Sequence, residues 1–159
     1  MYDFKQIPSS ELLIVELVMR TFSQSKMPSI SVIIPNYNHG QFVEKSIRST
    51  FEQTAPPNEI IVVDDGSTDD SVKRLKKIKK EIPILKLFLC EENQGTLRAA
   101  AIGVKNAKSE ILMFRAADDI LLPYSIKEGR KAFQKYLKDV KNKSKDITLK
   151  EIKPNPKVG

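Results

Sequence analysis

At 159 residues and 40% hydrophobic composition, the chain has the length of one ordinary domain and enough apolar content for a core, which excludes a wholly disordered protein. Its single cysteine, Cys90, excludes an internal disulfide, and with no Cys/His cluster of zinc spacing the chain suits a reducing, cytoplasmic setting. The +7 net charge is concentrated at one end: residues 1–130 hold 18 Lys and Arg against 17 Asp and Glu, residues 131–159 hold 9 against 3, and aromatics are sparse among them, so no nucleic-acid partner is expected.

Residues 1–28 read as an N-terminal helix and linker. "PSSE" opens a strongly apolar helix over residues 9–24 with Glu11 in its first turn, and "SQSKMPS" follows as the linker. The apolar run Leu12–Met19 falls short of the roughly 20 residues a membrane span needs, is broken by Glu16, and has no basic leader before it. This helix must bury its apolar face on the main domain, on a second copy as a homodimer through residues 9–24, or on a separate partner.

From Ile30 short apolar runs alternate with helical periodicity, defining a main domain over residues 29–140. "ISVII" (30–34) is a buried strand stopped by Pro35. "GQFVEKSIRSTFEQ" is a helix with Phe42, Val43, Ile47, Thr50 and Phe51 on one face. "EIIVV" (59–63) is the second strand, and "STDDSVKRLKKIKKE" is a helix capped by Ser or Asp, with Val72, Leu75 and Ile78 inward and its lysines in solvent. "ILKLFL" (84–89), "GTLRAAAIGVKNA" (95–107) and "EILMF" (110–114) continue the pattern, and Cys90 reads as a small buried residue closing the third strand. A last helix runs from about Ser125 to Val140, and residues 141–159 read as a basic, flexible tail. An anionic membrane surface is compatible with this tail and with the cluster at 73–80, which allows peripheral association with the inner face of a membrane.

Strands alternating with helices predict an α/β fold: a Rossmann-like, mostly parallel central sheet with helices on both faces. Neither "GxGxxG" nor "GxxxxGK[ST]" follows any strand, so the standard dinucleotide and P-loop fingerprints are absent. Ligands of such sheets bind at the carboxyl ends of the strands. There the chain places "PNYNHG", "DDGSTDD", "EENQG" and "RAADDILLP". Asp64 and Asp65 can accept hydrogen bonds from a ribose hydroxyl or a base N–H, and as neighbours at a buried strand end they repel unless bound or paired. Asp118 and Asp119 are adjacent hard oxygen ligands of the kind that suit Mg2+ or Mn2+ completed by water and phosphate, or else form an acidic turn. His39, on a glycine-flanked loop, reads as a turn residue, and Tyr37 either stacks on a base or packs in its loop.

Taken in order, "SVIIPNYNHGQFVEKSIRSTFEQTAPPNEIIVVDDGSTDDS", "ENQG" and "ILMFRAADDILLP" resemble the nucleotide-sugar half of the glycosyltransferase family 2 domain, over about residues 29 to 125. The resemblance implies the GT-A fold and transfer of a sugar, with inversion, from a nucleotide-sugar donor, UDP-linked first among the choices. The acceptor hydroxyl would belong to a glycan or lipid-linked molecule in surface polysaccharide synthesis. By the same resemblance, Pro35, Tyr37 and Asn38 lie against the base with Tyr37 stacking, Asp65 meets the base N–H and Asp64 supports its loop. Asp118 contacts the ribose, and Asp118 and Asp119 end the Asp-x-Asp region that holds a divalent metal, Mn2+ or Mg2+, on the diphosphate.

Three departures from the family pattern stand out. The fourth loop commonly resembles "FLDADD", so here Arg115 replaces an apolar residue and Ala116 the first aspartate. Ala100 and Ala101 stand where "ARN" would supply Arg and Asn, leaving Arg98 as a substitute phosphate contact. The chain also stops soon after the Asp-x-Asp region, so the acceptor half is expected to be missing, and Glu128, Asp139, Asp146 and Glu151 match no catalytic-base motif. Two rival readings remain: a nucleotide-binding or assembly module without catalysis, and a receiver-like signalling domain. Acid pairs after the second and fourth strands disfavour the latter.

Overall fold

The computed structural model describes residues 27–147, so the helix expected over residues 9–24 and the last part of the basic tail lie outside the described residues. One compact unit comprises residues 27–130, and residues 131–147 belong to a second. In chain order the elements are β1 (Ile30–Asn36), α1 (Gly40–Phe51), β2 (Glu59–Asp64), α2 (Ser71–Lys79), β3 (Leu85–Leu89), α3 (Thr96–Asn106), β4 (Ile111–Phe114) and α4 (Ser125–Ile147). The strands form one sheet in the order β3-β2-β1-β4, every pairing parallel.

β1 and β2 are nearly continuous apolar runs because both of their faces are covered. Alternation sends Val32, Ile34, Ile60 and Val62 to one face, where they pack with Val43 and Ile47 of α1 and Leu75 and Ile78 of α2. Ile33, Ile61 and Val63 turn to the other face and meet Ala99 and Ile102 of α3. Full burial of each large aliphatic side chain contributes about 1.5–3 kcal/mol. The approach of α3 to β1 is close enough that a Cβ at Gly103 would stand 2.4 Å from the Ile33 Cγ2. Cys90 is half-buried beside this second cluster.

Three sequence expectations are corrected. Pro35 does not stop β1, which continues to Asn36 in register with Val63 and Asp64. β4 pairs only as far as Ile33, so the missing proline N–H faces a side with no partner strand. Phe42 is 41% exposed, and the buried face of α1 is Gly40, Val43, Ser46, Ile47 and Thr50. Helix α4 runs on to Ile147 instead of ending near Val140; the stretch from Lys131 to Lys153 contains no glycine or proline to break it. The lysines of α2 are exposed, as expected.

At the amino ends of the strands Glu59 is buried, accepting hydrogen bonds from Ser31 Oγ at 2.5 Å, from the Lys108 N–H at 2.6 Å and from Lys86 Nζ. Burial alone would raise its pKa, but these donors outweigh it and hold the carboxyl below its ordinary value.

Candidate functional site

The sheet order reverses at β1: the chain moves outward through β2 to β3, then returns to place β4 on the far side of β1. Such a switch point leaves a crevice outside the carboxyl ends of the strands. A cavity of about 510 Å³ opens there, lined by Pro35, Asn36, Tyr37, His39, Asp65, Asn93, Gly95, Thr96, Ala99, Ala100 and the stretch Phe114 to Ala117.

The strand-end loops that shape it are tied to one another. Asn38, at φ 55°, donates its N–H to Ser67 Oγ at 2.9 Å, while its Oδ1 accepts the N–H groups of Thr68 at 2.8 Å and Asp69 at 3.3 Å. The Asp69 carboxylate accepts the N–H of Gly40 and that of Ser71, each at 2.9 Å, and so serves the first turns of α1 and α2 together. Desolvation opposes its charge, and these bonds overcome it, keeping the Asp69 carboxyl below the usual range. Gly66, at φ 73°, turns the second loop against the third, since a Cβ there would lie 2.5 Å from the Glu92 carbonyl carbon.

Asp64 and Asp65 escape mutual repulsion because each has its own donors. Asp64 is fully buried and accepts from Asn36 Nδ2 and Ser67 Oγ, both at 2.7 Å, and from the Ser67 N–H at 2.9 Å. Asp65, 3% exposed, accepts the N–H groups of Gln94 at 3.1 Å and Gly95 at 2.8 Å, which fixes the entry to α3. A carboxylate has about four acceptor positions, so Asp65 retains capacity toward the cavity it lines. Burial pushes the nearby Cys90 thiol up, the charges of Asp65 and Asp64 add to it, and Arg98 opposes.

The fourth loop is fastened to α1. Arg115 is 8% exposed; its guanidinium donates to the Ser46 carbonyl at 3.2 Å, to Thr50 Oγ1 and to the Asp119 carbonyl. Burial lowers its pKa from the ordinary value, with the Asp119 charge opposing. Asp118 and Asp119 themselves are exposed. Among the described residues no group of three or more His, Cys, Asp or Glu side chains could hold a metal. Two adjacent exposed carboxylates fit a hard cation that draws its other ligands from water and phosphate, rather than one enclosed by protein.

Of the residues singled out from the sequence, Pro35, Tyr37 and Asp65 line the cavity, and Tyr37 is 40% exposed there. Asn38, Asp64, Arg98, Asp118 and Asp119 do not line it: Asn38 and Asp64 brace its loops, Arg98 is exposed on α3, and Asp118 follows directly on the lining residue Ala117. His39, read as a turn residue, lines the cavity at the start of α1, and its Nδ1 is buried without a partner among the described residues. Sequence reasoning missed Asn36, Phe114 and the inward course of Arg115, since an arginine after a strand ordinarily signals solvent.

The glycosyl transferase family 2 model matches residues 31–146. The chain belongs to glycosyl transferase family 2. Among curated proteins it is 35% identical over 105 residues to an uncharacterized glycosyltransferase of Nostoc sp., covering 66% of this chain and 33% of that one. It is also 35% identical over 95 residues to the putative teichuronic acid biosynthesis glycosyltransferase TuaG of Bacillus subtilis, covering 58% of this chain and 36% of that one. The chain thus spans about a third of the length of these relatives. Among solved structures, S. aureus TarS 1-349 in complex with UDP-GlcNAc superimposes with a TM-score of 0.59 at 29% identity, covering 64% of this chain and 30% of that one. The mannosyltransferase PcManGT from Pyrobaculum calidifontis, in complex with GDP-Man and Mn2+, matches in fold with a TM-score of 0.60 at 24% identity, over 72% of this chain and 37% of that one. The fold is that of the GT-A glycosyltransferases. Family membership sets aside the receiver-like reading.

Proposed function

We propose that this chain is the donor-binding part of a family 2 glycosyltransferase that moves a sugar from a nucleoside-diphosphate sugar to an acceptor hydroxyl of a glycan or lipid-linked molecule in cell-surface polysaccharide synthesis. The observation that carries the reading is the switch-point cavity with the Asp65 carboxylate and the exposed Tyr37 ring in its wall. The UDP-GlcNAc held by TarS supports a nucleotide-sugar donor, and the name of TuaG supports the class of product.

In this reading Tyr37 stacks on the base beside Pro35, and Asp65 accepts a base N–H while its remaining bonds to Gln94 and Gly95 keep it aimed. Asp64 and Asn38 hold the two loops in register. Asp118 faces the ribose, and Asp118 and Asp119 are the residues that would hold Mn2+ or Mg2+ on the diphosphate. When bound, that cation supplies Lewis-acid stabilisation of the departing nucleoside diphosphate. Arg98, exposed at the start of α3, is the candidate for a further phosphate contact.

A second reading, a nucleotide-binding module that does not complete transfer by itself, is favoured by one observation. Asp65 is the one carboxylate lining the cavity among the described residues, and it already accepts two backbone N–H groups. No second acid stands there to take the acceptor proton.

Titration calorimetry of the 159-residue chain with UDP, GDP and other nucleoside diphosphates, with and without Mn2+, tests both readings. Metal-enhanced binding of one nucleotide is expected, and Asp119→Ala should remove the enhancement with the fold intact. A folded sample that binds none of the panel would overturn the donor site. Hydrolysis or transfer of the bound sugar by this chain would overturn the second reading. No helix among the described residues is long and apolar enough to cross a membrane.

A further inference from the structure

The segment that follows β4 is gripped along its length by one side of α1. Ser46, Ser49 and Thr50 recur at helical spacing and so share a face of α1, and Gln53 follows two residues after its end. Ser46 Oγ donates to the Ala116 carbonyl at 3.4 Å, Ser49 Oγ accepts the Leu121 N–H at 3.1 Å, and Gln53 Nε2 donates to the Leu122 carbonyl at 2.8 Å. Arg115 occupies the centre of this contact. Its guanidinium reaches the Ser46 carbonyl, Ser49 Oγ and Thr50 Oγ1 on the helix and, from its other nitrogen, the Asp119 carbonyl on the loop.

A buried guanidinium costs desolvation unless something compensates it, and Arg115 makes no ion pair among the described residues. Its partners are neutral oxygens, and its Nε has none among the described residues. On the loop side its hydrogen bond goes to the Asp119 carbonyl, which ties the backbone there to α1. The carboxylates of Asp118 and Asp119 are exposed on that stretch. The planar fork of arginine can span helix and loop at once, which a lysine ammonium cannot.

We infer that Arg115 is a positioning residue for cation and diphosphate binding: by tying the Asp119 backbone to α1 it sets where the Asp118 and Asp119 carboxylates point. This rests on the donor-site reading of those two acids. Loss of such a supporting partner typically weakens metal affinity about 10–100-fold.

The test compares the wild-type chain with Arg115→Leu, Arg115→Lys and, as a milder change, Thr50→Val, which removes one acceptor of the guanidinium. Three quantities are read: amide hydrogen exchange over residues 116–121 without ligand, Mn2+ affinity in the presence of UDP, and UDP affinity in EDTA. Arg115→Leu should exchange faster over that stretch and bind Mn2+ about 10–100-fold more weakly, with a smaller loss of metal-free UDP affinity because Arg115 also lines the cavity. Arg115→Lys should fail to restore Mn2+ affinity, and Thr50→Val should shift exchange and Mn2+ affinity less, in the same direction. Unchanged exchange in a folded Arg115→Leu would show that no clamp exists. Faster exchange with unchanged Mn2+ affinity would reduce Arg115 to a purely structural role and overturn the inference. Should Arg115→Leu fail to fold, an unaltered Thr50→Val would overturn it equally. If the wild-type chain binds UDP with no effect of Mn2+, the metal part of the donor-site reading fails and the inference fails with it, whatever the exchange rates show about the clamp.

Discussion

Glu59 is a carboxylate buried under the sheet, and it keeps its charge because Ser31, Lys86 and the Lys108 amide all donate to it. Its folded pKa lies below the ordinary 4.5. A depressed carboxyl pKa contributes stability that is present above the ordinary value and is lost as pH falls through the folded one. Glu59→Gln should therefore destabilise the chain by about 1.5–3 kcal/mol at neutral pH, the range for hydrogen bonds to a charged group. The gap to wild type should close in acid, below 4.5. Urea titrations at neutral and acidic pH measure it, and a gap independent of pH would refute the assignment. At this scale Asp65 and Tyr37 were legible, because an acid after a buried strand and an aromatic in a polar loop stand out against their neighbours. Asn36 and Arg115 were not, since the oxygens that receive their donors lie on elements distant in sequence.

Helix α3 and strand β1 meet through Gly103, whose place in "AAAIGVKNA" resembles a weak point in a helix. Its neighbour Ile33 is fully buried and branched at Cβ, so it cannot swing away. Gly103→Ala should cost about 1–3 kcal/mol through overpacking. Gly129, in α4, has open space within 4 Å of where an added methyl group would stand and should behave oppositely. Gly129→Ala should stabilise by about 0.5–1 kcal/mol from helix propensity. Thermal unfolding of the two variants separates a packing glycine from a dispensable one, and equal shifts would contradict the close approach. Periodicity made all four strands and the helices between them legible. It misjudged Pro35, because whether a proline stops a strand depends on whether a partner strand lies on its N–H side. It misjudged Phe42, which sits beside the buried stripe of α1 rather than on it.

For the molecule as a whole, the proposed donor site is assembled from four loops at the carboxyl ends of the strands, so nucleotide binding should stabilise the fold rather than one segment. At about 100 times its Kd, UDP in the presence of Mn2+ should add about 2.7 kcal/mol. EDTA should diminish that increment if Asp118 and Asp119 carry the cation. Thermal melts with UDP and Mn2+, UDP and EDTA, and Mn2+ alone measure both effects. An equal UDP shift with and without EDTA would remove the metal from the proposal.

The sequence by itself determined the alternation of strands and helices, because burial on both faces demands continuous apolar strands and amphipathic helices. It also placed the acidic and aromatic residues at strand ends, through turn chemistry written in neighbouring residues. Only the tertiary structure decided that β4 lies beside β1 and so opens the cavity at that seam, and that Arg115 turns inward to α1. Each of those outcomes depends on hydrogen bonds between residues far apart in the chain, and no local pattern of polarity or propensity encodes them.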